Sequence, residues 1–217
     1  MERYQKMAEN TKTKFREALA ELLKEKHLFA VTVRDLCKKA GTDRSTFYRY
    51  YDSLDEMIEE LEEIVYPEIV VSLDAIRFFN LRNMKQDQKK MSMQCMCFMQ
   101  MLEKNRLLLG SLLSSNGDLK LRQMVSDSIR RCLQDALHRN GFSFGEYERI
   151  MLRVIPGIII DETSRWLNKP DMNLEESANY GANFMINMFS LAKPKADATS
   201  AQGQNLFRAQ HSLNKCC

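Results

Sequence analysis

The sequence predicts an all-α protein, with an N-terminal three-helix helix-turn-helix domain followed by a larger helical domain. Apolar residues recur at helical spacing along nearly the whole chain, as in the row Leu121, Val125, Ile129 and Cys132. Only 4 Pro and 8 Gly interrupt the 217 residues, and residues that favour helices, such as Leu, Met, Glu and Lys, are abundant. Capping signals divide the periodic segments into about nine helices, with no convincing strand.

The first three helices are expected within the first 51 residues. Their boundaries follow from side chains that accept backbone N–H groups at a helix start and from glycine at a helix end. The expected signals are Thr11 near the start of the first helix, Thr32 with Asp35 and then Gly41 for the second, and Thr42 or Asp43 for the third, which covers Arg44 to Tyr50.

The later helices are predicted from signals of the same kind. A capping box in 53–56 opens a fourth helix, which carries the apolar residues Met57, Leu61 and Ile64 and is kinked or restarted at Pro67. The other expected boundaries are a Met- and Cys-rich helix beyond about 88, a helix over 105–113, a loop and cap at 116–118, a stop at Asn140-Gly141, a capping box in 143–146, a bend at Pro156, a cap at Asn173 with Glu176, and a last helix ending near Lys193.

The chain divides into a basic N-terminal part in 1–52, a larger helical part in 53–193, and a tail of small and polar residues in 194–217 that is expected to be disordered. Residues 1–51 hold 12 Lys or Arg against 7 Asp or Glu, and 52–68 hold eight acidic residues and no basic one. This division suggests that one end of the molecule meets a charged partner, although chance clustering on a solvated surface explains it equally well.

The chain is expected to be soluble and cytoplasmic, without a membrane partner. No apolar run resembles a signal peptide, and the longest apolar block, 154–160, is too short to span a bilayer. The six cysteines include no C-x-x-C pair and fall mostly within helical patterns, which fits a reducing compartment.

Residues 33–51 have the spacing of a helix-turn-helix. Two short helices that cross at a steep angle need a small residue at the crossing, a glycine in the turn and apolar residues facing a supporting helix. Cys37, Gly41 and Phe47 meet these needs, and Phe15 and Leu19 of the first helix are the expected support.

The outward residues of this segment have the chemistry for DNA. Arginine pairs with guanine edges, threonine contacts thymine methyl groups, and hydroxyls and helix N-termini bind phosphate. For each of these residues taken alone, the alternative is that it lies on the charged, solvated face of an ordinary corner between two helices. The candidate DNA-binding residues are Thr32, Arg34, Arg44, Ser45, Thr46, Tyr48, Arg49 and Tyr50.

The stretch from Thr11 to Leu61 resembles the N-terminal domain of the tetracycline-repressor (TetR) family. The matching points are Thr11-Lys12, Ala18, Leu22, 32–36, Ala40-Gly41 and 46–51. The resemblance implies a homodimer that reads a pseudo-palindromic site in double-stranded DNA, with the eight candidate residues at the operator. Thr42 departs from a usual apolar residue in the turn, and Leu54 stands where lysine often contacts phosphate.

The family resemblance also implies that 1–52 form the helix-turn-helix DNA-binding domain and that 53–193 form an effector-binding and dimerisation domain. It implies a small-molecule effector and a dimer formed by the last two long helices, about 145–168 and 173–193. One stripe of the last helix carries small residues that permit close helix packing, and burial within the monomer is the other interpretation. The stripe consists of Leu174, Ala178, Gly181, Ala182, Met185 and Phe189.

The segment 91–101 is unusually rich in Met and Cys, and three interpretations stay open for it. Sulfur ligands bind Cu(I), flexible thioethers line adaptable pockets, and methionine also fills ordinary cores. Cys95 and Cys97 lie about 200° apart on a helix, which argues against joint metal chelation.

No cofactor or enzymatic activity is predicted, because the sequence has no nucleophile elbow, P-loop or dinucleotide fingerprint. A DNA-binding transcriptional regulator, in particular a repressor controlled by a small molecule, is the function that the residues favour. The alternatives are a helical dimerising partner that binds a ligand or protein without reading DNA, and a helical enzyme that uses a Met-lined cavity.

Overall fold

The computed structural model describes residues 2–74, 80–83 and 88–195. It confirms the all-α fold class. In these residues the helices are α1 (Glu2–Leu23), α2 (Val33–Ala40), α3 (Arg44–Tyr48), α4 (Leu54–Asp74), α5 (Gln88–Lys104), α6 (Arg106–Leu112), α7 (Leu119–Asn140), α8 (Glu148–Asn168) and α9 (Leu174–Ser190). Most of the expected tail, 196–217, lies outside the described residues.

The expectation of no strand is wrong for two very short segments. Strands β1 (Phe142–Ser143) and β2 (Lys193–Pro194) pair antiparallel after α7 and α9. Two residues are too few to show the alternation by which a strand is recognised in a sequence.

Helix α1 begins at Glu2, so the expected start near Thr11 is wrong. The hydroxyls of Thr11 and Thr13 donate to the carbonyls of Met7 and Glu9, four residues earlier, at 3.0 and 2.9 Å. Threonine makes this bond inside a helix as well as capping one, and here both residues lie in the helix interior.

Several predicted helix ends are confirmed and others are shifted. Asn173 and Glu176 form the expected capping box, and Gly141 ends α7 with φ +67°. The box expected in 143–146 is wrong, because the Ser143 hydroxyl donates to Glu148, the first residue of α8, and not to Glu146. In the box at Ser53, Glu56 accepts from the N–H of residue 52. Helix α3 stops at residue 48 and α9 at residue 190, both earlier than predicted.

The core of the larger domain is built from α4 to α9. The stripe predicted on α7 is buried, as are Met57 and Leu61 of α4, whereas Ile64 is 41% exposed and is not a core residue. Helix α4 continues through Pro67, so the predicted restart there is wrong.

The small-residue stripe of α9 packs within the monomer, so it does not itself form a dimer surface. Ala178, Ala182, Met185 and Phe189 are buried, and α9 packs against α5. A Cβ atom placed on Gly181 would lie 3.8 Å from the sulfur of Cys95 on α5. The small residues serve this close helix pair inside the chain.

Three sets of contacts join the N-terminal helices to the larger domain. Helix α1 packs against α6, and the Asn116 side chain donates to the Leu23 carbonyl at 3.0 Å. The backbone N–H of Leu28 donates to the Asn116 carbonyl at 2.8 Å. Helix α4 follows α3 directly and continues into the larger domain, so it belongs to both parts of the molecule.

Candidate nucleic-acid interface

The two short helices α2 and α3 are held by aromatic packing against α1. Phe47 of α3 is fully buried, and its ring lies 5.4 Å from Phe15 in an edge-to-face arrangement and 5.5 Å from Tyr51. Cys37 is buried on α2, as the predicted crossing requires, and Leu19 is fully buried on α1. Five residues are too few for a stable isolated helix, so α3 depends on this packing for its conformation.

The start of α2 is fixed by a complete capping box. The Thr32 hydroxyl accepts from the Asp35 N–H at 3.2 Å, and the Asp35 carboxylate accepts from the Thr32 N–H at 3.1 Å. Lys26 donates to the same carboxylate at 2.6 Å. These bonds, from Lys26 first and then from Thr32, lower the pKa of Asp35 to about 2. The N-terminus of α2 is therefore presented in one fixed orientation.

The turn that follows needs a left-handed residue and then a new cap. Gly41 supplies the first with φ +66°, a conformation that other L residues adopt only at a cost. Asp43 supplies the second, because its carboxylate accepts from the Thr46 N–H at 2.8 Å and from the Ser45 hydroxyl at 2.7 Å. The two bonds, from Ser45 first, lower the pKa of Asp43. Of the two predicted caps, Asp43 and not Thr42 is the one used.

The structure brings most of the eight candidate residues to the surface on and around α2 and α3. Thr46 is half-buried, and Tyr50 is half-buried and packs against the hydrophobic core. Tyr50 therefore has less free surface than the sequence implied. The exposed candidates are Thr32, Arg34, Arg44, Ser45, Tyr48 and Arg49.

The arginines of this surface are available to an external anion. Arg34, Arg44 and Arg49 form no ion pair with any other residue in the described ranges, whereas Lys39 pairs with Glu25 at 3.3 Å. Lys38 is also exposed. Most other described arginines form an intramolecular ion pair or hydrogen bond, although Arg149 and Arg153 of α8 are exposed without one. The α2–α3 surface combines three such arginines with exposed hydroxyl groups.

A supporting cluster behind this surface was not predicted. Glu60 of α4 accepts the Tyr51 hydroxyl at 3.0 Å and pairs with Lys12 and with Arg16 of α1. Lys12 also lies 4.9 Å from the centre of the Tyr51 ring. Burial opposes ionisation of Glu60, but the hydrogen bonds from Lys12 and Tyr51 outweigh it and the pKa is lowered. Glu60 lies in the acidic run 52–68, where nothing in the sequence marks it as the residue that faces α1.

The larger domain contains a cavity of about 330 Å³ between α4, α5, α7, α8 and α9. Met91, Cys95 and Met99 of the Met- and Cys-rich helix lie in its wall, whereas Cys97 is exposed on the surface. The predicted divergence of the two cysteines agrees with these positions. Among the described residues, no three His, Cys, Asp or Glu side chains are arranged to hold a metal ion. None of the described helices is long and apolar enough to cross a membrane.

Comparison with known proteins adds independent information on the N-terminal region. Residues 15–61 match the family model of bacterial regulatory proteins of the tetR family. No curated protein matches the chain. The matched residues include α2, α3, the turn between them and the first part of α4.

Several solved structures are similar to about four fifths of the chain at low identity. A TetR transcriptional regulator from Streptococcus agalactiae has 18% identity and a TM-score of 0.49, covering 83% of this chain and 96% of its own. The regulator PfmR from Thermus thermophilus has 17% identity and a TM-score of 0.49, covering 80% and 97%. The repressor AlkX from a Dietzia strain has 15% identity and a TM-score of 0.47, covering 82% and 95%.

The family match coincides with the segment whose capped helices, glycine turn and free arginines were described above. The chain is therefore a DNA-binding transcriptional regulator, and its residues 15–61 form a DNA-binding domain of the kind found in bacterial regulatory proteins of the tetR family.

Proposed function

We propose that this regulator is a cytoplasmic homodimeric repressor that reads a pseudo-palindromic operator through α3 and releases it when a small molecule occupies the cavity. The observation that carries the proposal is the group of exposed, uncommitted arginines around a recognition helix that is fixed by caps and aromatic packing. It acts by binding alone, without catalysis.

The proposed roles follow from position. Arg44 and Tyr48, at the two ends of α3, face the major groove and contact base edges, and Arg49 follows at the C-cap. Thr32 and Arg34 at the start of α2 meet the phosphate backbone, where the helix N-terminus favours negative charge. The remaining proposed contacts come from Ser45, Thr46 and, with its smaller free surface, Tyr50.

Dimerisation is proposed through the outward faces of α8 and α9. Ile150, Val154 and Ile158 are 49%, 44% and 45% exposed and are spaced four residues apart on α8. Such spacing places them in one row on the helix surface, and an exposed apolar row favours contact with another protein surface. A twofold dimer would present two α3 helices to half-sites about one turn of DNA apart.

Two contact routes support communication between the cavity and the DNA-binding domain. Helix α4 lines the cavity through Leu73 and holds Tyr51 through Glu60. On the other route, Trp166 lines the cavity and its ring lies 4.3 Å from the Arg106 guanidinium of α6, the helix that packs on α1. A ligand that changes the position of either helix changes the orientation of the DNA-binding domain, provided it binds the two states with different affinity.

The experiment that tests the reading of DNA is selection of random duplexes by the purified chain, followed by titration of the enriched duplex at several salt concentrations. We expect an inverted repeat and a steep loss of affinity with salt, since phosphate contacts release counterions. Arg49→Ala should weaken binding of the enriched duplex by about 1–3 kcal/mol. The matched control is Arg130→Ala on α7, which should retain the affinity.

Two outcomes contradict the proposal. The absence of an enriched duplex, both alone and with candidate effectors, favours the dimerising partner that does not read DNA. If Arg49→Ala and Arg130→Ala lose equal affinity for the duplex, general positive charge and not the α3 surface is responsible for the binding. Sedimentation of the wild-type chain and of Val154→Glu, which should be monomeric, tests the dimer separately.

A further inference from the structure

We infer that the cavity of the larger domain takes an uncharged, mostly apolar molecule of about ten carbon atoms that carries a hydroxyl, carbonyl or amide group. This inference rests on the effector-binding part of the proposed function and assigns the chemical class of the ligand.

The wall of the cavity is mainly apolar and incompletely packed. Phe98, Met99, Ile159 and Phe184 line it and are only half-buried, although they adjoin the hydrophobic core. Cores are normally packed at the density of organic crystals, so apolar side chains around open volume gain when a ligand covers them. Thioethers such as that of Met99 adapt to the shape of such a ligand.

Both charged side chains in the wall of the cavity are already engaged in ion pairs. The charged side chains that line it are Glu162 and Arg165, whose nearest atoms lie 2.9 Å apart. Arg165 also pairs with Asp171 at 2.9 Å. An anionic or cationic ligand would therefore enter an apolar space without an unpaired counter-charge, and an unpaired buried charge costs far more than a neutral polar group.

The thiol of Cys95 in the wall does not supply an anion either. Burial raises the pKa of Cys95 to about 11, so this side chain is a neutral thiol at physiological pH. Neutral hydrogen-bonding groups are present in Gln94 and Thr163, both half-buried in the wall. Amide and hydroxyl groups both donate and accept, which suits an alcohol, ketone or amide.

The volume limits the size of the ligand. At about 30 Å³ for each water-sized group, the cavity of about 330 Å³ holds about eleven such groups. This lies at the lower end of the range of about 300–1,000 Å³ for small-molecule sites. A ten-carbon alcohol matches this size.

The test compares 1-decanol with decanoate and decylammonium, which share its chain and differ in charge, in binding to the full chain at pH 7. Calorimetry and thermal melting measure the dissociation constants and stabilisation. We expect 1-decanol to bind at least tenfold more tightly than either ion.

A matched pair of variants locates the site. Gly181→Ala adds a methyl group in ordinary contact with Cys95, whereas Gly181→Leu extends further into the cavity from the same backbone position. Both changes remove a glycine from α9 and so favour the helix. We expect Gly181→Leu to bind 1-decanol at least tenfold more weakly than Gly181→Ala.

Three results would overturn the inference: an ion that binds as tightly as 1-decanol, equal binding by the two variants, or no binding of 1-decanol by protein that still binds its enriched duplex. If 1-decanol binds as expected and leaves the duplex affinity unchanged, the ligand class stands and the effector part of the proposed function fails.

Discussion

Replacing Phe47 of α3 by alanine should reduce the stability of the fold, whereas replacing its neighbour Tyr48 by alanine should reduce the affinity for DNA. Phe47 is fully buried between Phe15 and Tyr51, whereas Tyr48 is 54% exposed on the proposed DNA-reading surface. Phe47→Ala removes a core ring and Tyr48→Ala removes a surface ring, so the pair separates stability from recognition within one helix.

The magnitudes follow from burial. Replacing a buried phenylalanine by alanine costs about 3–5 kcal/mol. Each aromatic pair adds about 0.5–1.5 kcal/mol beyond the buried area, and the Phe47 ring makes edge or tilted contacts with three other rings. We therefore expect about 4–5 kcal/mol for Phe47→Ala. Tyr48→Ala should change the free energy of unfolding by no more than about 1 kcal/mol, since exposed positions tolerate substitution.

Urea unfolding followed by circular dichroism, together with anisotropy of the enriched duplex, measures both effects. A loss of about 4 kcal/mol lowers the urea midpoint by about 2 M when the m-value is about 2 kcal/mol/M. Tyr48→Ala should keep the wild-type midpoint and lose about 1–3 kcal/mol of duplex affinity. A Phe47→Ala variant with the wild-type midpoint would refute the assignment of Phe47 as the ring that holds α3, and a Tyr48→Ala variant with full affinity would remove Tyr48 from the reading surface.

Three further perturbations test the caps and the supporting cluster. Gly41→Ala should destabilise the chain by about 1–2 kcal/mol, because residue 41 has a positive φ. Gly157→Ala should stabilise it by about 0.5–1 kcal/mol, because residue 157 lies in a helix with open space around it. Equal urea midpoints in the two variants would contradict this expectation. The Asp35 carboxyl has a pKa of about 2 in the folded chain against a reference value of 3.8, so the stability it contributes is fully present above pH 3.8 and is lost as the pH falls towards 2. The difference in unfolding free energy between wild type and Asp35→Asn should therefore shrink between pH 3.8 and pH 2. A difference that stays constant over this interval would argue against the assignment. Tyr51→Phe deletes the hydroxyl that Glu60 accepts and should cost about 1–2 kcal/mol by thermal melting, with an unchanged melting temperature as the contrary result.

The predictions that succeeded concern local chemistry. The Thr32–Asp35 box, the glycine turn at Gly41 and the stop at Gly141 each follow from a few neighbouring residues, because a cap is a bond between groups three or four positions apart. The start of α1 was misplaced because threonine has the same bonding capacity inside a helix as at its end.

The predictions that failed, and the features that were missed, concern contacts distant in sequence. The α9 stripe around Ala182 was predicted to form a dimer, whereas the structure packs it against α5. The sequence shows that a helix face is packed but does not show which helix it contacts. The bonds of Glu60 span up to 48 residues, so the acidic run gave no sign of them. The cavity depends on five helices at once and has no linear signature.

The Glu60 cluster has a consequence for protein engineering. It determines where the DNA-binding domain of this chain can be joined to the ligand-binding domain of another protein. A junction after residue 52 would leave Lys12, Arg16 and Tyr51 of the incoming domain facing an α4 without their acceptor. A junction after residue 62 transfers Glu60 together with its three partners, so a chimera of this chain should keep its domains correctly oriented only when the first two turns of α4 travel with the domain that reads DNA.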